Sequence, residues 1–394
     1  MKIAVLTSLF PSQVSPFEGI FAERRWQGML ARGHEVTVTR PVPRTPWPFV
    51  YGKWQLIHSV PAEEQRGGIV VSAPRYVHIP KLARRNAAAF ARAGLQQVLS
   101  NGQPDVVVCD YAWPAAAAAV ELKRAGIACV ISGRGSDVLE VAGEAGLGRE
   151  LSSYLQAAGH WCAVSEHLLS TMNELGDGRG TLVPNGVDTE LFRIRNQSEA
   201  RTQLGIETTG KLVIVVGHLI PRKDPLLALQ AFVAGAPEDA ELVFVGNGEL
   251  FGEVECAIAE RKLAGRIRMV GAQTPEQLAS WYAAADCLLL TSRREGRPNV
   301  VLEALSSGCP VLATDAGGTA ELLASLEGML VPASAGRAAK VVGAQLGLLL
   351  ERDRAPERIR AAVAELSWER SLDSLEACLQ AAVDSAARPA GDAR

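Results

Sequence analysis

The residues best suited to chemistry in this sequence are two glutamates, Glu295 and Glu303, which lie eight positions apart in the stretch EGRPNVVLEALSSGCP. Between them, a Pro-Asn step and an apolar run predict the start of a helix. Proline suits a first helical turn, and the side chain of Asn299 can cap free backbone amides. Glu295 is therefore expected in a loop before the helix and Glu303 one turn into it. Both side chains are expected to face the same opening of a binding site.

The start of this helix also predicts an anion site. The first amides of a helix, here near Asn299 and Val300, have no partner inside the helix. Gly308, before Pro310, is expected to end the helix. Two acids beside a phosphate-sized site suggest a ligand with sugar hydroxyls and a diphosphate. The alternative is an ordinary surface helix with solvated glutamates.

A pair of cations follows the strand predicted over 211–216. The next residues, GHLIPRKD, place Gly217 where a backbone can approach a ligand closely, and then supply Arg222 and Lys223. Arginine offers phosphate a planar fork and lysine a point charge, so together they can bind a diphosphate and stabilise it as a leaving group. A solvated surface pair is the alternative. The following strand ends at Gly246, in a glycine-rich turn that is only weak evidence for chemistry.

Alternating strands and helices are expected to position these residues. Short apolar runs, typical of buried parallel strands, alternate with helical patterns in both halves of the chain. This alternation predicts two parallel α/β domains, each doubly wound. A length of 394 residues suits two domains, and the polar turn over 185–188 predicts their boundary.

The full context of the central stretch, with Glu-Gly, Pro-Asn, Glu-Ala and a closing Gly-x-Pro, resembles the Glu-x7-Glu motif of retaining GT-B glycosyltransferases of family 4. The resemblance implies two Rossmann-like domains that face a central cleft. An acceptor-binding domain is expected over 1–186 and a nucleotide-sugar-binding domain over 187–366. Residues 367–394 are expected to form a helix that packs back on the first domain, with a frayed tail. The implied reaction moves a sugar from a nucleotide diphosphate sugar to a glycan or lipid-linked acceptor.

The resemblance also implies roles for single residues. Glu295, followed by Gly296, would lie near hydroxyls of the donor sugar, and Glu303 would bind the ribose of the nucleotide. The resemblance implies that neither acts as a nucleophile. It also implies that the leaving diphosphate helps to deprotonate the acceptor. Arg222 and Lys223 would replace a divalent metal, so no metal or other cofactor is expected.

Two stretches of the first half resemble further parts of the family pattern. FEGIF resembles the glycine loop that approaches the donor phosphates and the acceptor, with Gly19 as the contact, although a plain helix cap is the alternative. Arg134-Gly-Ser-Asp stands where many members have His-Gly-x-Asp, with the histidine near the transferred sugar. Arg134 is therefore a candidate catalytic residue of a variant subset. Asp137 either orients Arg134 or an acceptor hydroxyl, or caps a helix.

The segment over 40–92 has a different composition, with nine lysines or arginines against two acids and many prolines. Mixed basic and aromatic residues suit a lipid headgroup layer. We therefore expect this segment to face an anionic membrane and admit a lipid-linked acceptor, or else to be a basic surface insertion. Its aromatic residues are Trp47, Phe49, Tyr51, Trp54 and Tyr76.

Composition also limits the classes of protein and partner that fit this chain. The formal net charge of −3 does not suggest a nucleic acid partner. The seven scattered cysteines predict buried free thiols in a reducing compartment, not zinc ligands or disulfides. No apolar stretch is long enough to span a membrane, and no signal-peptide pattern follows the start. The expectation is a cytoplasmic protein, with peripheral contact at the inner face of the membrane left open.

Three other functions would use part of these residues. A glycosidase would use the two carboxylates but leave Arg222 and Lys223 without a role. A nucleotide-sugar epimerase or phosphorylase would convert the donor without a separate acceptor. A catalytically silent nucleotide-sugar-binding protein would bind the donor without turnover, and the replacement of the usual histidine by Arg134 keeps this hypothesis open.

Overall fold

The chain forms two compact units. Unit 1 combines Met1–Asn185 with the C-terminal segment that starts at Trp368, and unit 2 is Gly186–Ser367. The sequence places the first boundary one residue later, after Gly186. The computed structural model describes residues 1–44, 53–206, 210–332 and 336–387.

Unit 1 contains an eight-stranded sheet in the order β10-β9-β8-β7-β1-β2-β5-β4, and a separate parallel pair of β3 with β6. Every neighbouring pair in the large sheet is parallel except β4 with β5. The strands are β1 (Lys2–Thr7), β2 (Glu35–Thr39), β3 (Val42–Arg44), β4 (Glu63–Arg66), β5 (Ile69–Ser72), β6 (Arg75–Val77), β7 (Val106–Asp110), β8 (Ala128–Gly133), β9 (Trp161–Ala163) and β10 (Thr181–Leu182).

Helices cover both faces of this sheet. The side chains of a strand alternate, so Ala4 and Leu6 of β1 enter one hydrophobic core and Ile3 and Val5 enter the other. This two-sided burial is why the strands appear in the sequence as continuous apolar runs. The helices are α1 (Ile20–Ala31), α2 (Lys53–His58), α3 (Ala83–Ser100), α4 (Ala112–Ala115), a 3-10 turn (Ala116–Ala118), α5 (Ala119–Arg124), α6 (Ser136–Gly143), α7 (Ala145–Ala158) and α8 (Glu166–Gly176).

A last helix of the chain, α17 (Trp368–Ala387), also belongs to unit 1. Its buried residues Leu372, Leu375 and Leu379 share a core with Trp26 of α1. At the surface, Arg32 Nη1 lies 2.8 Å from Asp373 Oδ1. The local pattern predicts a helix here, and only the family resemblance predicts that it packs on the first domain.

The interpretation of 40–92 as a surface insertion is wrong for β5. This strand lies inside the large sheet next to β2, and Ile69 and Val71 are buried. The β4–β5 hairpin turns at Gly67 and Gly68, both with positive φ, and the short run IVVS then fits a buried strand. Of the aromatic residues in the segment predicted to face a membrane, Trp47, Phe49, Tyr51 and the side chain of Trp54 lie outside the described part of the structure.

Unit 2 contains a six-stranded, fully parallel sheet in the order β13-β12-β11-β14-β15-β16. Its strands are β11 (Leu212–Val216), β12 (Glu241–Val245), β13 (Ile267–Gly271), β14 (Cys287–Leu290), β15 (Val311–Thr314) and β16 (Leu330–Val331). Its helices are α9 (Gln197–Gln203), α10 (Pro225–Gly235), α11 (Phe251–Glu260), α12 (Pro275–Ala284), α13 (Asn299–Ser306), α14 (Thr319–Leu323), α15 (Ala339–Leu350) and α16 (Pro356–Ala361).

The strand order of unit 2 reverses between β11 and β14. In open parallel sheets, ligands bind outside the carboxyl ends of the strands at such a reversal. The loops that follow these two strands are the ones that carry the cation pair and the central stretch.

The cysteines and the absence of a membrane-spanning stretch are two further predictions from the sequence. All seven cysteines are free thiols, of which Cys256 is exposed and the other six are buried. Within the described ranges, no helix combines the length and apolar character needed to cross a bilayer.

Candidate active site

The loop after β11 and the loop after β14 lie side by side in unit 2. Thr291 Oγ1 donates to the carbonyl oxygen of Asp224 at 2.9 Å, and the backbone N–H of Arg293 donates to that of Arg222 at 2.8 Å. These bonds connect residues about 70 positions apart in the chain, on two loops that share one edge of the sheet. They hold the predicted cation pair next to the predicted acid.

Glu295 is the anion at the centre of this arrangement. Lys223 Nζ lies 2.5 Å from Glu295 Oε1, and Arg222 Nη1 lies 3.4 Å from Glu295 Oε2. The Glu295 side chain is 7% exposed, whereas those of Lys223 and Arg222 are 17% and 32% exposed. The carboxylate therefore lies beneath two cations that still reach solvent.

The charges of this cluster do not balance. Burial acts to raise the pKa of Glu295, but the nearby Lys223 and Arg222 outweigh it and hold that pKa below its usual value. Glu295 is consequently ionised at neutral pH. Two cations against one carboxylate leave an excess of positive charge at this edge of the sheet, which attracts anions.

Two glycines shape the space beside the cations. Gly217 has φ 134°, and a Cβ added there would meet only Lys223 Cε, at 4.0 Å. Gly246 has φ 148°, and its Cβ would lie 2.0 Å from the carbonyl oxygen of Gly217. Gly246 therefore allows two strand ends to pack together, while Gly217 leaves open space next to Lys223.

Helix α13 begins at Asn299, and Pro298 occupies the N-cap position. The expectation that Asn299 caps the helix is wrong, because Asn299 is already the first helical residue. Glu303 lies one turn further on, where Tyr282 Oη donates to its Oε2 at 3.0 Å. The helix ends before Gly308, whose φ of 70° suits a residue just past a helix end.

The other residues of the central stretch lie close to the same loop. Gly296 is buried directly after Glu295, and Val300 is half-buried in the first turn of α13. The backbone N–H of Glu295 donates to the carbonyl oxygen of Ala316 at 2.9 Å, which ties the loop to the end of β15. The structure thus brings the cation pair and Glu295 together around the ends of β11, β14 and β15.

Arg134, in unit 1, has a different environment. Its Nε and Nη2 lie 2.8 and 2.7 Å from the two carboxylate oxygens of Asp110, and its Nη1 donates to Asn185 Oδ1 at 3.0 Å. The ring of Phe21 lies 5.3 Å from its guanidinium carbon. Its side chain is 3% exposed and that of Asp110 is 2% exposed. Arg134 is therefore almost fully enclosed, and its donors are bound by protein groups.

Sequence reasoning missed two charged residues of this cluster, Asp110 and Arg25. Arg25 is fully buried, and its Nη2 donates to the same Asn185 oxygen at 3.0 Å. Burial, followed by repulsion from Arg134, lowers the pKa of Arg25 to about 9. Burial acts to raise the pKa of Asp110, but Arg134 outweighs it and lowers that pKa to about 2. Two features of the sequence could have indicated these residues. Arg25 is a charged residue on the apolar face of α1, and Asp110 is an acid that ends the run VVVCD.

Asp137 acts through the backbone. Its carboxylate accepts the N–H groups of Arg134 at 3.1 Å, Gly135 at 2.6 Å and Ala112 at 2.6 Å. Gly135, not Asp137 or Ser136, holds the N-cap position of α6. Burial raises the pKa of Asp137 to about 6 against the effect of these donors. Asp137 therefore fixes the backbone of Arg134 without contacting its guanidinium.

Gly19 is the N-cap residue of α1, with φ 76°. A Cβ there would lie 3.1 Å from backbone atoms of Leu9. The glycine is thus needed for a left-handed cap packed against the preceding loop, which corresponds to the plain-cap alternative.

Comparison with known proteins addresses what kind of enzyme carries this site. Residues 196–364 match the family model described as Glycosyl transferases group 1, and residues 25–191 match the one described as Glycosyltransferase Family 4. The chain is 30% identical over 356 residues to TuaC of Bacillus subtilis (strain 168), named as a teichuronic acid biosynthesis glycosyltransferase. That match covers 87% of this chain and 88% of TuaC. This chain belongs to the group 1, family 4 glycosyltransferases.

Solved structures of glycosyltransferases share the fold. Sucrose-phosphate synthase from Thermosynechococcus elongatus matches with a TM-score of 0.75 at 18% identity, covering 98% of this chain and 100% of that one. Anabaena HepE in complex with UDP and glucose matches with a TM-score of 0.73 at 17% identity, covering 97% and 100%. The predicted family and the GT-B fold, with two Rossmann-like halves, are confirmed.

Proposed function

We propose that this glycosyltransferase moves a sugar from a nucleoside diphosphate sugar to a glycan or lipid-linked acceptor, with retention of the anomeric configuration and without a metal ion. The observation that carries the proposal is the cluster of Lys223, Arg222 and Glu295 at the strand reversal of unit 2. An excess of positive charge, a carboxylate and a helix start converge there, which suits a ligand made of a diphosphate and a sugar.

The chemistry follows from where charge develops. As the bond between the anomeric carbon and the diphosphate oxygen breaks, negative charge accumulates on the diphosphate, and Arg222 and Lys223 stabilise it. The acceptor hydroxyl then bonds to the anomeric carbon on the face that the diphosphate leaves, and its proton passes to the departing phosphate oxygen. Two fixed cations supply the charge stabilisation that a divalent metal supplies elsewhere.

Other residues of the site would bind the donor. The open space at Gly217 suits a phosphate beside Lys223, and the amides at Asn299 and Val300 face the anion from the start of α13. Glu295 would accept hydrogen bonds from sugar hydroxyls, and Glu303 would accept one from the ribose. Gly296 lets the backbone next to Glu295 approach the sugar closely.

The roles in unit 1 are part of the same proposal. Arg134 would act near the transferred sugar, which requires its pair with Asp110 to open when substrates bind. Gly19 would bring the start of α1 to the donor phosphates or the acceptor, in addition to capping that helix. An Arg134→Lys variant that keeps full turnover would remove Arg134 from the list.

A thermal-shift panel of UDP-, GDP- and ADP-sugars tests the donor site, because a ligand that binds the native state raises its apparent stability. UDP-sugars come first, since the HepE structure contains UDP. One nucleotide class should stabilise the wild type but not an Arg222→Ala, Lys223→Ala variant. Arg268→Ala, which removes an exposed partner of Glu241 elsewhere in unit 2, should keep the shift. Loss of the shift in the control, or no shift in the wild type, would count against the site.

Turnover tests the reaction itself. With a stabilising donor and a glycan or lipid-linked acceptor, the product bond should have the anomeric configuration of the donor by NMR, and EDTA should not reduce the rate. An inverted product would contradict the retaining mechanism. Donor binding without turnover across such acceptors would favour the silent binding protein instead.

We further propose that unit 1 contacts an anionic membrane. A patch of exposed apolar side chains lies on α2 and around β6: Leu56, Val77, Ile79 and Leu82 are 60%, 61%, 43% and 39% exposed. Strand β6 pairs with β3, which α2 contacts.

The chain segment that carries most of this apolar-basic patch is rich in basic residues. No acidic residue occurs between Glu64 and Asp105, whereas six lysines or arginines do, and Lys81 and Arg85 are exposed beside the apolar residues. Apolar side chains that enter the interface and cations that bind anionic headgroups are the combination that peripheral membrane binding needs. A lipid-linked acceptor would be delivered at such a surface.

Flotation with vesicles tests this contact. The wild type should float with vesicles of phosphatidylglycerol and phosphatidylcholine and remain behind with phosphatidylcholine alone. A Val77→Ser, Ile79→Ser variant should lose flotation. The matched control, Val233→Ser with Leu348→Ser, changes two comparably exposed apolar residues of unit 2 and should float normally. A wild type that stays soluble with both vesicles contradicts the membrane proposal.

A further inference from the structure

Asp224, directly after the cation pair, has an unusual backbone. Its φ of 52° lies in the left-handed region, which side-chain-bearing residues rarely adopt and glycine adopts freely. Asp224 is the N-cap residue of α10, and Pro225 follows as the first helical residue, but its carboxylate does not cap the helix. Because it does not cap the helix, the carboxylate of Asp224 can make contacts elsewhere.

The carboxylate of Asp224 binds two arginines. Arg293 Nε and Nη2 lie 3.1 and 2.9 Å from Asp224 Oδ2, and Arg337 Nη2 lies 3.0 Å from the same oxygen. Arg293 is mostly exposed, at 63% of its side chain, whereas Arg337 is at 35%. Arg337 is therefore the less solvated of the two partners. Solvent screens its ion pair with Asp224 less than it screens the pair of Arg293 with Asp224.

Arg337 connects three strand ends. Besides Asp224, which follows β11, its guanidinium donates to the carbonyl oxygens of Thr291 at 2.7 Å and Ser292 at 2.6 Å, after β14. It also donates to Thr314 Oγ1, at the end of β15, at 3.2 Å. One planar side chain thus fixes the relative positions of the loops that carry the cations and the acid.

The backbone next to Asp224 is held from the same side. The hydroxyl of Thr291 donates to the carbonyl oxygens of both Lys223 and Asp224, at 3.2 and 2.9 Å. Because Thr291 also binds Arg337 through its own carbonyl oxygen, the side chain of Arg337 and the backbone of Lys223 are joined through one residue.

We propose that Asp224 and Arg337 form a positioning pair that sets Arg222 and Lys223 against Glu295 so that both cations can bind the donor diphosphate. Neither residue of the pair contacts the donor. The inference rests on the proposed donor site, and it assigns the aspartate at the left-handed position to the geometry of that site and not to capping of α10.

Asp224→Gly isolates the carboxylate. Glycine keeps the left-handed backbone without strain and removes only the side chain, so the fold is retained. We expect this variant to bind the nucleoside diphosphate of the stabilising class about tenfold more weakly, because small displacements of positioned groups reduce binding and rate strongly. Asp224→Asn keeps one acceptor oxygen and tolerance of this backbone, so it should recover part of the affinity. Lys262→Gly, at another positive-φ position in unit 2, is the matched control and should bind normally.

A double-mutant cycle tests the pairing. Arg337→Met should weaken binding at least as much as Asp224→Gly, because it also removes the bonds to Thr291, Ser292 and Thr314. The double variant should be no worse than Arg337→Met alone, because the contact with Asp224 is then already lost. Additive effects would overturn the pair. So would variants that lower the melting temperature but leave the affinity unchanged, since that pattern belongs to a merely structural contact.

Hydrogen exchange tests the positioning pair independently of the proposed donor site. In the ligand-free protein, amides in the loop over 217–224 should exchange faster in Asp224→Gly than in the wild type, while Lys262→Gly leaves them unchanged. Unchanged exchange in Asp224→Gly overturns the positioning pair whatever the donor is. If the loop loosens as expected but the wild type binds none of UDP, GDP or ADP, the pair holds the loop and the proposed donor site is what fails.

Discussion

Each unit holds a carboxylate bound by cationic side chains near the carboxyl ends of parallel strands, but the two clusters differ in their access to solvent. In unit 1, the side chains of Asp110 and Arg134 are 2% and 3% exposed. In unit 2, Glu295 is 7% exposed but Lys223 and Arg222 are 17% and 32% exposed. The first cluster is enclosed by protein and the second is open on its cationic side.

This difference separates two uses of the same kind of ion pair. An enclosed pair must satisfy its charges with protein groups, and Arg134 does so with Asp110 and Asn185. An open pair with excess charge can exchange part of its internal contact for a ligand. The comparison therefore predicts that the enclosed cluster stabilises unit 1 and that the open cluster of unit 2 is the one available to the proposed donor.

The largest effect should come from breaking the enclosed pair. Asp110→Asn leaves Arg134 and Arg25 buried without a carboxylate, which should lower the free energy of unfolding by about 3–5 kcal/mol. Denaturant titration measures this loss. Glu241→Gln, which removes the carboxylate partner of the exposed Arg268, should cost less than about 1 kcal/mol. A similarly small cost for Asp110→Asn would mean that the enclosed cluster does not stabilise unit 1.

The ion pair of Asp110 should also make the stability of the protein depend on pH. This effect should be smaller than the loss caused by Asp110→Asn. The pKa of Asp110 is lowered to about 2 in the fold, below its unfolded value, so its contribution is present above about pH 4 and is lost as pH falls toward 2. The size of this term is about 2 kcal/mol. The difference in unfolding free energy between the wild type and Asp110→Asn should therefore shrink by about 2 kcal/mol between pH 4 and 2. Parallel curves would contradict a lowered pKa.

The smallest effect on stability should come from the open pair. Arg222→Ala removes a side chain that is one-third exposed, so the free energy of unfolding should change by less than about 1 kcal/mol. Affinity for the nucleoside diphosphate should nevertheless fall about tenfold, since a charge-assisted hydrogen bond is lost. Calorimetry and denaturant titration on the same preparation measure both quantities. Large destabilisation with unchanged affinity would reverse the assignment of the two clusters.

The sequence predicted unit 2 better than unit 1 for a physical reason. The strands of its sheet are short apolar runs, and α13 lies between local start and stop signals, so its bounds and the place of Glu303 follow from neighbouring residues. Arg222, Lys223 and Glu295 lie together because strand ends of a parallel sheet share an edge.

The surroundings of Arg134 depend on contacts that no local pattern contains. Its partners Asp110 and Asn185 lie 24 and 51 residues away in the chain, and Arg25 lies 160 residues from Asn185. The motif around Arg134 predicted a residue near the transferred sugar, and its enclosure became visible only in the folded unit. Strand β5 was missed because the basic, proline-rich composition around it concealed a four-residue run.

The most direct test of the central claim is the contribution of the β-phosphate to binding. Isothermal titration calorimetry should compare a nucleoside diphosphate with its monophosphate, UDP with UMP if UDP-sugars stabilise the protein, in the wild type and in Arg222→Ala, Lys223→Ala. We expect the wild type to prefer the diphosphate by at least about tenfold and the variant to lose that preference while still binding the monophosphate. A variant that keeps the full preference for the diphosphate would show that the open cluster of unit 2 does not bind the donor phosphates.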